Sequence, residues 1–531
     1  MAIRKELKAD LAVVGSGLSG LSTIYFLDTL SGGKHNFKTV VISKSSLGFG
    51  TSTYYSAGAF RCPVGGYSKE DYISEVLESG RYINRKSLVE LMADHAVNSI
   101  TALEGLGLKF KVARGMLRVY SNDPLFPGKE LIEALRKYVL RRGNTTILDN
   151  THVLDVVRGS DGSLYTICLT MSGDYVVVNS KVVVLATGGA ANVFARSDNP
   201  QQLTCDGHGI CLRLGLPLID MEFIQFFPLG IAESGKPSFM IPFSKGRLVN
   251  RLGEDLIVRY GFESLGKAIV YHRDALSRSM MYEVAIGNGV EGALLLYPEE
   301  VQDDLSSFAL ELKKKLGLGT PIKVLPTAHF SMGGVEVDDN LNTSIEGLYA
   351  VGELVGGIHG ANRLGGNALT SCTVTAMKVA KNILEYLTGK FNNPLSISID
   401  NQIISQVTRE YSPRDGIYAS EVFKNEVRNI MWTYVGILRN EESIRRCINK
   451  LNNIYENIDK VRIRNRSDII KYSELKNLLL TSLAISHSAL LRTESRGSHF
   501  RTDYPEESVG WRKNIRITYK EGNFKYQIVM N

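Results

Sequence analysis

Asp10-Leu-Ala-Val-Val14 runs directly into Gly15-Ser-Gly-Leu-Ser-Gly20, and these eleven residues decide the fold. A short apolar run ending at a glycine reads as a buried parallel strand. A helical pattern follows through Leu21, Ile24, Tyr25 and Leu27, and a second apolar run, Thr39-Val-Val-Ile42, arrives about 20 residues later. Strand, spaced glycines, helix and strand make the dinucleotide-binding β–α–β unit. Gly15 permits the tight turn, Gly17 lets backbone approach a pyrophosphate, and Gly20 lets helix and strand pack closely, while free amides at the helix start hold phosphate. The residue closing the second strand is usually an acid that binds a ribose hydroxyl. Here it is Ser43, followed by Lys44 and Ser45. Ser43 can hydrogen-bond a ribose and Lys44 can neutralise charge, so the site reads as a variant.

Two more strand ends point the same way. Lys181-Val-Val-Val-Leu185 ends in Ala186-Thr-Gly-Gly189, and Gly347-Leu-Tyr-Ala-Val-Gly-Glu353 brings an acid to the end of a short strand. Between Gly230 and about Pro321 the strand–glycine rhythm lapses into irregular and helical sequence, which predicts an inserted domain. From Thr373 onward the periodicity predicts amphipathic helices over 375–387, 402–409, 421–438, 442–458 and 472–491. The expected fold class is α/β: a split Rossmann-like nucleotide-binding domain with an inserted capping domain and a helical C-terminal domain. The boundaries read as 1–229 and 329–395 for the two parts of the first domain, 230–328 for the cap and 396–531 for the helices.

Composition narrows the function. The 531 residues are 44% hydrophobic and 22% charged, ordinary globular values. No run approaches the roughly 18 apolar residues of a membrane span, since Leu478 to Leu491 is broken by Ser482, Ser486 and His487. No signal-peptide core precedes Leu11, so a cytoplasmic protein with no direct membrane insertion is expected. The formal charge of +7 lies wholly after residue 400, where 22 Lys and Arg face 15 Asp and Glu. Those cations are dispersed and no recognition motif accompanies them, which argues against nucleic acid. Cys62, Cys168, Cys205, Cys211, Cys372 and Cys447 form no C-x-x-C pair, and the nine His show no H-x-x-x-H pairing, so no metal site is expected.

Longer motifs then accumulate. They are Cys205-Asp-Gly207, Asp220-Met-Glu-Phe-Ile-Gln225, His329-Phe-Ser-Met-Gly-Gly334, His359-Gly-Ala-Asn-Arg-Leu-Gly-Gly-Asn-Ala368, Glu494-Ser-Arg-Gly-Ser-His499 and Asp503-Tyr-Pro505. With the glycine motifs they resemble, nearly end to end, the flavoprotein family of succinate dehydrogenase, fumarate reductase and L-aspartate oxidase. The resemblance implies FAD, with a cap over the flavin ring and hydride exchange with a carboxylic acid. It implies FAD contacts at Gly15, Ser16, Gly17, Leu18, Ser19, Gly20, Ser43, Lys44, Ser45, Thr51, Ser52, Thr53, Ala57, Gly58, Val153, Ala186, Thr187, Gly188, Asp206, Glu353, Arg363, Asn367, Ala368 and Leu369. It implies that His329 and Arg363 hold substrate carboxylate, and that Arg273 belongs to the family's arginine element in the cap. A separate iron–sulfur protein is the implied electron partner. That would place the chain in the cytoplasm, or peripherally at the inner face of a membrane through partner subunits.

The departures matter as much. Where succinate dehydrogenases carry the histidine of a covalent flavin link, this chain has Thr51-Ser52-Thr53, so FAD is expected to bind non-covalently. The family's H-P-T-G becomes Phe227-Pro-Leu-Gly230, and an arginine expected within G-E-R-F falls at Asp255. An acid there would repel a dicarboxylate by several kcal/mol at an effective dielectric of ~20. Lys245, Arg247 and Arg251 are the candidates to refill that position, with Arg247 counted among the catalytic residues. The first functional expectation is a flavoprotein subunit of the fumarate reductase type. The alternatives are an L-aspartate oxidase and an FAD electron-transfer subunit that has lost dicarboxylate chemistry.

Overall fold

The computed structural model describes residues 3–159, 162–301, 303, 306–390 and 401–530. Its largest sheet runs Thr145–Leu148, Thr39–Ile42, Ile3–Val14, Tyr175–Leu185, Leu164–Leu169 and His152–Arg158, with Leu348–Ala350 also paired to Tyr175–Leu185. The first four of these and Leu348–Ala350 are parallel, and residues 11–14, 39–42, 182–185 and 348–350 are buried at every position, which explains their largely apolar sequence. Register sets Val14 beside Ile42 and Leu185, and Ala350 beside Leu185. Four segments therefore leave the sheet in one row, at its carboxyl edge, where doubly wound sheets bind ligands. The helix Leu18–Leu30 starts from that row and packs against the helix Asn367–Glu385.

The inserted region differs from the sequence expectation. Residues 230–321 are not only irregular and helical, because they contribute to a four-stranded antiparallel sheet of Ile224–Ile231, Ile322–Ser331, Leu294–Pro298 and Gly246–Val249. Two of these strands are four and five residues long, too short to show a period. A third, Ile224–Ile231, is buried at every position and so has no alternation. The sheet and the helices Leu265–Tyr271, Arg273–Ala285 and Ser306–Leu316 enclose their own core around Leu229, Phe243, Leu248, Ile269, Leu276 and Leu296. The boundaries read at 229/230 and 328/329 fall inside the strands Ile224–Ile231 and Ile322–Ser331, and the one at 395/396 lies outside the described residues.

After residue 400 the helices Asn401–Glu410, Ser420–Val435, Glu441–Glu456 and Arg466–Leu491 follow the periodicity within a turn or two. The chain does not end as helix, however. Lys513–Lys520 and Asn523–Met530 form a hairpin that pairs with Leu218–Ile219, adding two strands to a sheet beside the first domain. The helical reading of 396–531 is corrected there.

Candidate active site

The row of strand ends opens into a cleft that encloses about 900 Å³ of space, the open solvent at its mouth included. Its floor is closed by glycine. Gly15, at φ +109°, packs so tightly on the next strand that a Cβ would sit 2.2 Å from the Ala186 carbonyl oxygen. A Cβ on Gly20 would sit 2.3 Å from the Gly15 oxygen, so Gly20 seats the helix without itself lining the cleft. The helix Leu18–Leu30 has no side-chain cap from Gly17 and no acid in its first turn, which leaves its positive end for a ligand. Ser52 Oγ and Thr187 Oγ1 line the same cleft, buried and without a hydrogen-bond partner. Uncapped helix amides, a glycine-closed floor and orphaned hydroxyls fit the phosphates and polar edges of a dinucleotide such as FAD.

Of the sequence-predicted cofactor residues, Gly15, Ser16, Gly17, Leu18, Ser19, Ser43, Lys44, Ser45, Thr51, Ser52, Thr53, Val153, Ala186, Thr187, Gly188, Asp206 and Glu353 line this cleft. Gly20, Ala57, Gly58, Arg363, Asn367, Ala368 and Leu369 do not. Phe49, His152, Gln202 and Cys372 line it without having been expected. Ser16 and Ser43 hydroxyls lie 2.7 Å apart. Lys44 differs most from its expected part. Its ammonium is spent internally, donating to Gln202 O at 3.0 Å and Thr204 Oγ1 at 2.7 Å, and pairing with Asp206 at 3.0 Å and Glu474 at 2.6 Å. Burial opposes its charge, yet the two carboxylates win and raise its pKa. Asp206 is held down at about 2, burial being outweighed by Lys44, His152 and hydrogen bonds.

At the other end Glu353, pushed up to about 7 by burial, accepts from Ser331 N at 3.0 Å. Beyond it two arginines converge. Arg363 donates through Nη2 to Gln225 Oε1 at 2.8 Å, and Arg273 donates through Nη1 to the same oxygen at 3.3 Å. Gln225 is itself fixed, its Nε2 donating to Asn362 Oδ1 and to the Arg363 carbonyl. Arg363 lies over the Phe330 ring and Arg273 over the Phe227 ring, at 4.5 and 5.5 Å to the centroids. Arg363 Nε is buried without a partner, and among the described residues no carboxylate comes within 4 Å of either guanidinium. Burial first, then mutual repulsion and Arg61, brings Arg273 down to about 9, and burial brings Arg363 to about 10.

His329 joins this group through Phe227, whose ring centroid is 5.7 Å from the imidazole, and its Nδ1 is 2.7 Å from Asp198 Oδ2. Gln225 and Asp198 were not among the expected site residues, since neither carries a recognisable spacing to the arginines or to His329. Arg247 is not brought to this group. It lies on the far edge strand of the cap sheet, two strands removed from Ile224–Ile231, with its side chain 66% exposed and 3.8 Å from Asp255. Asp255 has a local structural part, its Oδ1 accepting from Ile257 N at 2.9 Å as the N-cap of Leu256–Arg259.

Comparison with known proteins adds to this geometry. A family model described as FAD binding domain matches residues 10–369, and one described as fumarate reductase flavoprotein C-term matches 424–529. The chain is 30% identical to an uncharacterized FAD-dependent oxidoreductase of Methanocaldococcus jannaschii, over 99% of each chain. It is 29% identical to one of the subunits of the fumarate reductase (CoM/CoB) of Methanothermobacter marburgensis, over 97% of each. Its structure is similar to the FrdA chain of E. coli quinol fumarate reductase, with a TM-score of 0.89 at 27% identity, covering 99% of this chain and 97% of that one.

Proposed function

The chain belongs to the FAD-dependent oxidoreductase family of the fumarate reductase, succinate dehydrogenase and L-aspartate oxidase flavoproteins, and from that premise we propose that it interconverts a carboxylic acid and its unsaturated counterpart. One observation carries the reading: two guanidinium groups, that of Arg363 buried and that of Arg273 partly so, converge on a single amide oxygen, and among the described residues no carboxylate lies within 4 Å of either. Buried charge without a partner is costly, and an anionic guest relieves that cost. Arg363 offers its unpartnered Nε, and Arg273 lies over Phe227, so a carboxylate held between them has directional donors on two sides.

Bound FAD supplies hydride-level exchange at its ring, and FAD is proposed to be held without a covalent link because threonine and serine occupy 51–53. The chain supplies the rest. Arg273, the more strongly depressed of the two cations, is proposed to hold and exchange the proton on the substrate carbon. Gln225 holds both arginines in register, which fixes the carboxylate before reaction. Phe227, buried against Arg273 and His329, presents an apolar wall where a second carboxylate would lie. The substrate is therefore proposed to carry one carboxylate and an apolar or weakly polar second end. Relatives named as subunits support a separate electron-carrying partner, proposed to be an iron–sulfur protein. Among the described residues no helix is long and apolar enough to cross a membrane; the chain is proposed to work in the cytoplasm, with any membrane contact made through partners.

The test is anaerobic mixing of the reduced holoenzyme with 2-enoic acids while flavin absorbance is followed. Crotonate is expected to reoxidise the flavin at least tenfold faster than fumarate. Fumarate turnover on the order of 10 per second would overturn the apolar-end proposal. Reduction of the oxidised enzyme by L-aspartate would favour the oxidase reading, and silence towards every acid would favour an electron-transfer role.

A further inference from the structure

The pairing of Asp198 with His329 carries an inference that rests on the reading of the arginine group as a carboxylate site. Asp198 Oδ2 lies 2.7 Å from His329 Nδ1, with only 6% of the Asp198 side chain and 21% of the His329 side chain exposed. The geometry is built in from both sides. Asp198 N donates to the Ala328 carbonyl at 3.1 Å, and residues 197 and 328 form a parallel bridge. Asn199 Nδ2 donates to the His329 carbonyl at 2.8 Å and to Asp198 Oδ1 at 3.2 Å. Among the described residues no Lys or Arg lies within 4 Å of Asp198, so its charge is committed to the imidazole. With Nδ1–H directed at the carboxylate, Nε2 is the nitrogen left to change its protonation, and no protein group among the described residues bonds it.

We infer that Asp198 is a positioning residue that makes carboxylate binding take up a proton: an arriving anion and Asp198 together hold His329 as imidazolium, Nδ1–H donating to Asp198 and Nε2–H to the ligand. The balance is simple. One proton passes from solvent to Nε2, no other bond changes, and imidazolium then bridges two carboxylates through two charge-assisted hydrogen bonds. Asp198 thus ties the proton on His329 to the arrival of the anion. Among the described residues, Arg273, Arg363 and Glu353 feel the charge of Asp198. Glu353, raised to about 7, and Arg273, lowered to about 9, are the competitors for the effect, and the loss of uptake in His329→Gln separates His329 from both.

Calorimetry on the oxidised holoenzyme tests this, with crotonate and fumarate as probes, neither of which can be turned over by oxidised flavin. Titrations at pH 8 in two buffers of different ionisation enthalpy give the protons taken up. The expected result is close to one proton per bound anion, retained in Glu353→Gln and absent in His329→Gln. Asp198→Asn, which keeps an acceptor but loses the charge, is expected to bind roughly tenfold more weakly at pH 8 and to take up far less than one proton. Binding without proton uptake in the unaltered holoenzyme overturns the inference and leaves the carboxylate-site reading standing. Uptake that survives His329→Gln but disappears in Glu353→Gln overturns it too. Failure of both anions to bind overturns the site reading with it. Should Asp198→Asn not fold, the unaltered and His329→Gln titrations decide alone.

Discussion

Two groups of charge, one at the cleft wall around Lys44 and one beyond its Glu353 end, are built on opposite plans. At one end Lys44 and Lys424 face Asp206 and Glu474, with Glu474 2.6 Å from Lys44 and 2.7 Å from Lys424. Two cations meet two anions and the circuit is closed. At the other end Arg273 and Arg363 share one neutral amide, and the carboxylates whose charge they feel, Asp198 and Glu353, are engaged with His329 and with Ser331. That circuit is open. The closed group can only brace the strands and the helix Arg466–Leu491 around a ligand held by backbone amides. The open group has unspent charge, which is what recognition of an anion requires. Cations are spent on scaffold at one end and are proposed to carry chemistry at the other, and the difference lies in who their partners are.

The comparison depends on a correctly closed floor beneath both ends, and Gly15 tests it most severely. Gly15→Ala would put a methyl 2.2 Å from the Ala186 oxygen at φ +109°, a conformation L side chains rarely adopt. The expected cost is on the order of 4 kcal/mol or more. The purified variant should be colourless or insoluble, and a normal flavin-to-protein absorbance ratio would show that the floor is looser than described.

Next in size is the response of the closed end to acid. His152, buried beside this group with Nε2 3.0 Å from Ser473 Oγ, is lowered to about 4 by burial first and then by Lys44. The unfolded chain takes up that proton below about 6.5, while the fold resists it until about 4. Stability is therefore full above pH 6.5 and falls as pH drops towards 4, by on the order of 3 kcal/mol for this one group. Asp206 adds a second loss, but only below about 3.8, as pH falls towards its folded value of about 2. Melting temperatures of the apoprotein between pH 7.5 and 4.5 should drop, and His152→Gln should flatten the slope. An unchanged slope would mean that His152 is not the residue held neutral.

The open end should respond through function instead. Arg363→Lys keeps the charge but loses the planar fork that reaches Gln225 and a ligand together. A fall of about 100-fold in kcat/KM is expected, about 2.7 kcal/mol at 1.36 per tenfold, with melting temperature nearly unchanged. Equal losses of stability and activity would reduce Arg363 to scaffold and erase the contrast between the two ends.

How much of this contrast was legible in the sequence follows from chain distance. The closed floor was readable because Asp10 to Val14, Thr39–Ile42 and Lys181 to Leu185 are short apolar runs that end at Gly15, at Ser43 and at Ala186-Thr-Gly-Gly189. His329, Arg273 and Arg363 came from motifs, not from any local signal of convergence. Gln225 lay inside a quoted motif, but its part depends on the strand Ile224–Ile231 meeting residues 362 and 363. Asp198 sits 131 residues before His329 and gave no signal at all. The final hairpin did leave one: Ile515, Ile517 and Tyr519 alternate with polar residues and face Phe524, Tyr526 and Ile528 across Glu521-Gly522. The strong helical periods before it led to a helical reading of the whole tail.

The smallest effect concerns Asp255, where sequence and structure assign different work. Read along the motif, Asp255 replaces an arginine at the substrate and should govern activity. In the fold it caps Leu256–Arg259 through a 2.9 Å bond from Ile257 N, and Arg247 hangs 3.8 Å away on an exposed edge strand. A half-exposed ion pair at that distance is worth little, whereas an N-cap is worth about 1 kcal/mol. Asp255→Ala should therefore lower stability by about 1 kcal/mol and leave kcat/KM within twofold of the unaltered enzyme. Asp255→Asn, which caps nearly as well without charge, should restore the stability. Arg247→Ala should change neither quantity measurably. If Asp255→Asn alters turnover or KM severalfold while the protein melts normally, the carboxylate acts on the substrate, and the open end of the cleft extends to the far edge of the cap sheet. Unchanged kinetics would confine the open charge to Arg273, Arg363 and His329, with Gln225 and Asp198 as the two residues that hold them.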